Sequence, residues 1–556
     1  MIRQFLPLFV LFSIGNLYSQ AYSSGDLLTT IKELRKDPRG PYKDIKWFCD
    51  NGTIREARDP CPDEIGGVQH ARYKDIILDI GNKNHLFFGQ ILTGTDPIGF
   101  WDEDKRNARY KQYILEQFLF NSDNGWILEK GQFYRGAKQI EDEKDWGSNF
   151  FKKILTDNQS IRDHYLLLRM GLKNIPHGED TNTAQKVRAY SKLLADSHAP
   201  FMELRIKIHN NPDKTDLPST RLFKDRSFIK LNSVEKRNLD LLIESLEEQY
   251  KPFDIEEAND LARYLPKDAS LKKELEKFAT YKGARPALQI MEACSLLPII
   301  REEIFQTAWP DARLELLDFT NKVEQMIVLG FNQWEDNSLT GLRDKLCYLT
   351  QAAYGLGYLH PWEYESIMNE LTWMIGDAVA VDDLKFFHNA AKKSINWSVS
   401  LINSLFLDEL RRYQAFEPKI QGFLDDAVRS TILIQQGKAL EELDEIIKTV
   451  TEQESKILNL KNTSQAYGLN PGIALGELVV MSEVPEDYHF DAEKIYVFDR
   501  PPGELPPVRG IANVQEGNPI SHIQLLARNL GIPNALITSE ILDDLKEYSG
   551  SMVFYA

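Results

Sequence analysis

Only four of the 556 residues are cysteine, too few for a fold stapled by many disulfides. After the first twenty residues no apolar run has the length of a membrane-spanning helix. Positive charge is in deficit: 66 Lys and Arg stand against 83 Asp and Glu, a formal net charge of -17. With no polybasic block either, nucleic acid and anionic membrane are excluded as main partners. There is no G-x-x-x-x-G-K-[ST] loop, and no glycine-rich phosphate cradle on a strand-to-helix turn, so no ATP site is legible. His70, His85, His164, His360 and His388 fall in none of the zinc-protease spacings.

The chain opens with Arg3, an apolar core from Phe5 to Ile14 and a small-x-small end, Ser19-Gln20-Ala21. Residues 1–21 therefore read as a secretory signal peptide, and the mature protein is expected to be exported, periplasmic or extracellular, with no transmembrane anchor after cleavage. Cys49 and Cys61 flank a turn-rich loop and in an exported chain read as a disulfide; a metal site would need further ligands at fixed spacing, and none follow. Cys294 and Cys347 lie in apolar helical surroundings and read as buried thiols, with a long-range bridge between them as the alternative.

The expected fold is multidomain: a large all-α region over residues 22–460, followed by a smaller α/β domain over 461–556. Apolar residues recur at three and four over Tyr110–Phe120, Leu239–Leu246, Leu288–Ile304, Leu314–Ile327, Ile367–Val379, Leu384–Leu410 and Leu440–Leu458. No strand-rich block interrupts them. A sub-boundary is placed near 210–218, where Pro212 and Pro218 fall. Asp196-Ser197-His198 has triad residues in one dimension only, whereas triads assemble in space. Glu141-Asp142-Glu143 lacks the spacing of a calcium loop and reads as a solvated face. Arg205, Lys207 and His209 beside Asp213 and Asp216 read either as an anion pocket or as a salt-bridged surface.

In the last hundred residues, Leu475–Val480, Ile495–Phe498, Gly510–Val514, Ala535–Ile537 and Met552–Tyr555 read as strands, with helices at His522–Leu530 and Leu542–Tyr548. Between the third strand and the first of these helices runs Glu516-Gly517-Asn518-Pro519-Ile520-Ser521-His522. Gly517 and Pro519 make a turn, Ser521 is a good N-cap, and Gly531 and Pro533 stop the helix. One histidine thus stands on the first helical turn, where backbone N–H groups lack partners and the macrodipole is positive. Neutral imidazole is a nucleophile near neutral pH, and a phosphate on His522 would meet those N–H groups.

This cassette resembles the phosphohistidine domain (the mobile domain of phosphoenolpyruvate-utilising enzymes) of phosphoenolpyruvate synthase, pyruvate phosphate dikinase and glucan water dikinase. The matching residues are Ser521-His522, Ala527-Arg528 and Leu530-Gly531-Ile532-Pro533, with the opening Asn470-Pro471-Gly472-Ile473-Ala474-Leu475-Gly476. The stretch before the histidine differs from that of the synthases and is nearer the Leu-Ser-His form of the water dikinases. The resemblance implies a swivelling carrier phosphorylated on His522, with Ser521, Gly517 and Arg528 supporting the phosphate. It implies ATP and Mg²⁺ on an ATP-grasp nucleotide-binding domain, downstream or separate, and a phosphoryl acceptor of unknown identity. It also implies that 461–556 stops short of the complete domain. Trp47-Phe48-Cys49-Asp50-Asn51-Gly52, Gly67-Val68-Gln69-His70-Ala71, Tyr134-Arg135-Gly136-Ala137 and Arg205-Ile206-Lys207-Ile208-His209 resemble the helical region of exported bacterial proteins that carry a pyruvate/phosphoenolpyruvate-binding domain. The expected function is the carrier part of a dikinase-like phosphotransferase, a kinase component without its nucleotide domain. The alternative is an exported α-helical binding protein whose swivel domain is degenerate.

Overall fold

The computed structural model describes residues 21–128, 140–178, 183–210, 214–226, 230–251, 253–371, 379–451, 457–460, 466–470, 472–482, 484–485, 488–499, 508–514, 527 and 531–556. The expected signal peptide, apart from Ala21, lies outside them. Just beyond it Tyr22 is tied down: its N–H donates to Asn84 Oδ1, its carbonyl accepts from Asn84 Nδ2, and its hydroxyl donates to Asp79. The first helix, Ser24–Lys36, then starts on a reciprocal cap between Ser23 and Asp26.

Three strands follow: β1 (Tyr42–Cys49), β2 (Ile54–Glu56) and β3 (Gly67–Tyr73), antiparallel in the order β2-β1-β3. This sheet departs from the all-α region expected over 22–460. Tyr42, Ile45, Trp47 and Phe48 favour strands, but all six residues inside β1 are partly buried, so no in-and-out alternation marks it in the sequence. Cys49, at the end of β1, is disulfide-bonded to Cys61 in the β2–β3 connection, with Cα atoms 5.6 Å apart. Gly67 opens β3 with φ +146°; a Cβ there would lie 2.5 Å from the Phe48 carbonyl and 2.7 Å from Cys61 Sγ, so only glycine fits. Cys294 is buried and Cys347 partly buried, and both are free thiols.

The periodic runs fall in helices Ala108–Ser122, Ser233–Gln249, Pro286–Glu303, Pro310–Gly330, Pro361–Leu371, Val381–Gln414 and Leu433–Thr451, except that residues 372–378 of the run Ile367–Val379 lie outside the described residues and neither Val379 nor Leu458 is helical. In the longest of these, Leu384, Phe387, Ala391, Ile395, Ile402, Phe406 and Tyr413 form one buried stripe. One large core runs from Leu27 to Ile447, and a satellite core from Val187 to Leu246 gathers side chains from both sides of the 210–218 break. Glu143 is not on a solvated face: it is buried, and it accepts from the N–H groups of Leu92 and Thr93 and from the Thr93 hydroxyl. A buried connection leaves backbone donors that need such an acceptor.

The two ends of the main core are knotted together. Arg35 pairs with Asp123 and, at 3.1 Å, with Glu417; Lys419 pairs with Asp123; and Trp126 Nε1 donates to Glu417 over 3.0 Å. Phe88 meets Trp126, Tyr413 and Phe416 edge-on beside them.

The C-terminal sheet has six strands, one more than expected: β4 (Tyr467–Asn470), β5 (Ala474–Met481), β6 (Lys494–Phe498), β7 (Gly510–Asn513), β8 (Asn534–Leu536) and β9 (Met552–Tyr555), in the order β4-β8-β7-β6-β5-β9. The added β4 begins inside the stretch 459–468 that reads as a linker. β5 to β8 are parallel, and β4 and β9 are antiparallel edges. β9 is hydrogen-bonded to β5, and on one face of the sheet its Met552 and Phe554 side chains are exposed. Period-two alternation splits β6 between two layers: Ile495 and Val497 face the helix Ser539–Leu545, while Tyr496 and Phe498 face Val508, Ala527 and Ile532.

Candidate functional site

The histidine cassette occupies the crossover that leaves the carboxyl end of β7 and returns to β8. Parallel strands require such a connection. Both ends of the crossover are anchored. On the outgoing side the Val514 N–H donates to the Phe498 carbonyl over 3.0 Å. On the return, Ala527 is helical and fully buried against Tyr496, Phe498 and Ile511. Gly531 adopts φ +67°, and the Ile532 N–H donates back to the Ala527 carbonyl over 2.7 Å. The Ile532 carbonyl accepts from Asn470 Nδ2 at 2.6 Å, which ties the crossover to β4.

Gly517, Ser521, His522 and Arg528 themselves lie outside the described residues. The expected helix His522–Leu530 also lies outside them apart from Ala527; at its expected stop, Gly531 has a left-handed φ. Two residues at the edge of the crossover escape sequence reasoning. Asn513 ends β7 and Asn534 begins β8, and both side chains are buried. Asparagine is depleted in strands, so an asparagine at each end of a crossover was a readable signal. No residue singled out from the sequence marks the second polar centre either, which lies inside the helical core. There Glu324 accepts from Arg169 Nη2, Lys173 Nζ and the Tyr358 hydroxyl, each at 2.9 Å. Arg169 also donates to Thr320, Asn321 and the Leu356 carbonyl, all at 2.8 Å.

Burial would raise the Glu324 carboxyl, but Lys173 and Arg169 outweigh it and hold it down at about 2. The two cations respond in opposite directions. Burial and the like charge of Arg169 leave the Lys173 ammonium lowered despite its bond to Glu324, whereas Arg169 ends up raised because Glu324 and Tyr358 overcome its burial. Lys173 and Tyr358 border a cavity of about 40 Å³, room for little more than water. No local pattern reveals the cluster, since the end of helix Asn158–Leu172, helix Pro310–Gly330 and the connection holding Tyr358 bring it together from segments more than 30 residues apart.

The other constellations resolve into local bonding. Ser197 Oγ donates to the carbonyls of Leu193 and Leu194, and Asp196 pairs with Lys192, so Ser197 and Asp196 are engaged elsewhere than with His198. Lys207 pairs at 2.5 Å with the fully buried Asp216, which also accepts from the Tyr250 hydroxyl; this favours the salt-bridged reading, with Asp213 outside the described residues. Among the described residues no three His, Cys, Asp or Glu side chains are grouped as metal ligands, and no helix is long and apolar enough to cross a membrane. In comparison with known proteins, no family model, no curated protein and no solved structure matches the chain.

Proposed function

We propose that the C-terminal domain is the phosphoryl carrier of a dikinase-like phosphotransferase, with His522 as the carrier residue. The observation that supports this reading most is the placement of the cassette. The cassette is the connection from the carboxyl end of β7 to β8, and its described residues Ala527 and Gly531 lie against the sheet and lead back into β8. An imidazole nitrogen of His522 forms a P–N bond as the donor's P–O bond breaks and its electron pair leaves with the donor. An acceptor oxygen then takes the phosphoryl group, and the P–N pair returns to the ring. Ser521, Gly517 and the first-turn N–H groups hold the phosphate, and Arg528 offsets its charge. ATP and Mg²⁺ belong to a nucleotide-binding domain, downstream or separate, and the acceptor is a further partner.

The test is incubation of the full chain, with its nucleotide-binding partner, in labelled ATP or phosphoenolpyruvate. Acid-labile label is expected on His522. Equal labelling of His522→Ala would sink the assignment, and Arg528→Ala is expected to slow transfer by about 10²-fold. One observation favours a second reading, an exported binding protein: the Cys49–Cys61 bond is that of an oxidising compartment, where ATP is scarce. That reading predicts no label on His522 from either donor.

A further inference from the structure

A polar cleft of about 250 Å³ lies far along the sequence from the cassette, between the start of helix Ala108–Ser122 and the long helix Val381–Gln414. One wall is a single stripe of the long helix: Leu405, Asp408, Glu409 and Arg412, at the spacing of one helical face. The other wall carries Asp104, Lys105, Arg106 and Lys111. It is shaped by an unusual backbone. Asp102, Arg106 and Asn107 all have left-handed φ, at 54°, 56° and 59°. Such conformations cost energy in non-glycine residues and persist only where the surroundings enforce them. Here Asp102 Oδ2 accepts from the Arg109 N–H over 3.0 Å and bonds His85 Nε2 at 2.7 Å, while Asn107 Nδ2 donates to the Trp101 carbonyl over 3.0 Å.

This folded-back turn brings Lys105 and Arg106 to the cleft, the helix after it adds Lys111, and Arg412 makes a fourth cation against three carboxylates. The cleft is therefore locally positive in a chain whose net charge is -17. Two of the carboxylates are already engaged. Glu409 accepts from Gln112 Nε2 at 2.6 Å and faces Arg412 at 3.6 Å; Asp408 faces Arg106 at 3.5 Å. Lys111 is the exception. It is partly buried, and Glu409 and Asp408 act on it without making an ion pair, with Arg106 opposing them. Burial accordingly pushes its ammonium down. A desolvated cation that faces a cleft and lacks its own carboxylate is stabilised by an anion that enters. The N-terminal end of helix Ala108–Ser122 adds positive potential at the same place.

We propose that this cleft binds a small oxyanion, a phosphate or carboxylate group on a small molecule, with Lys111 as the principal ligand and Lys105 and Arg412 flanking it. The cleft shares no residue with the cassette, so it is tested independently of phosphoryl transfer. The probes are inorganic phosphate and, separately, acetate, titrated calorimetrically into the full chain and into His522→Ala. Saturable binding of at least one probe, retained in His522→Ala, is expected. Lys111→Met should weaken it by at least 10-fold, and the exposed Lys105→Glu, which leaves the helix start intact, should weaken it also. Absence of saturable binding of both probes, its loss in His522→Ala, or unchanged affinity in Lys105→Glu would each overturn the proposal.

Discussion

Glu324 shows how one side chain can hold distant segments together. Its carboxylate is ionised inside the core because two cations and a tyrosine hydroxyl converge on it. Removing the charge strands Arg169, which is 1% exposed on its side chain. Glu324→Gln is therefore expected to destabilise the fold by about 3–5 kcal/mol in urea unfolding at neutral pH. The sign of its pH dependence follows from the lowered folded value. The contribution is complete above the ordinary carboxylate range near 4.5 and is lost as pH falls towards about 2. The gap between wild type and Glu324→Gln should accordingly narrow as unfolding is repeated at lower pH; a constant gap would show that the carboxylate is not the cause. None of this is legible in the sequence, where a Glu on an amphipathic helix looks solvent-facing. The histidine is the reverse case: its residue type, turn and helix stop all stand within a few positions of one another.

Among the elements, those with clear periodicity were readable. Most of the long helices and the strands from Leu475 to Phe498 carry repeats of three to four or of two and lie within a few residues of expectation, whereas the run Leu440–Leu458 overshoots its helix, which is described to Thr451, and ends on Leu458 in a turn with φ 49°. The N-terminal sheet was not readable, because β1 is partly buried on both sides and β2 is only three residues long. β4 is hidden similarly, four residues beside a turn. The disulfide fastens the hidden sheet: it joins the end of β1 to the connection that leads into β3, across a sequence separation of 12. Cys49→Ser with Cys61→Ser is expected to cost about 3 kcal/mol. The check is the melting transition together with hydrogen exchange of β1 and β3 amides. Loss of protection should be greatest there and small in helix Val381–Gln414; uniform loss would mean that the bond braces the whole core rather than this sheet.

At the scale of the whole molecule, the main core draws on residues from Leu27 to Ile447, while the satellite core and the C-terminal sheet draw on shorter spans. A chain that ends at residue 400 lacks Tyr413, Phe416 and Glu417, and its first helix should remain open to protease while the Val187–Leu246 bundle stays protected. Equal protection of Ser24–Lys36 in the cut and full chains would contradict this. The contact behind that prediction, Arg35 to Glu417, spans 382 residues. A chain is made from its amino end at about 5–20 residues per second, and contacts between remote segments cannot form until both exist. The Arg35–Glu417 pair therefore forms on the order of tens of seconds after the Trp126–Leu128 turn, which the first helix also packs against, has been made. The pairs that Glu417 and Lys419 make with Arg35 and Asp123 are thus a seal on contacts made much earlier, set only when the last helices exist.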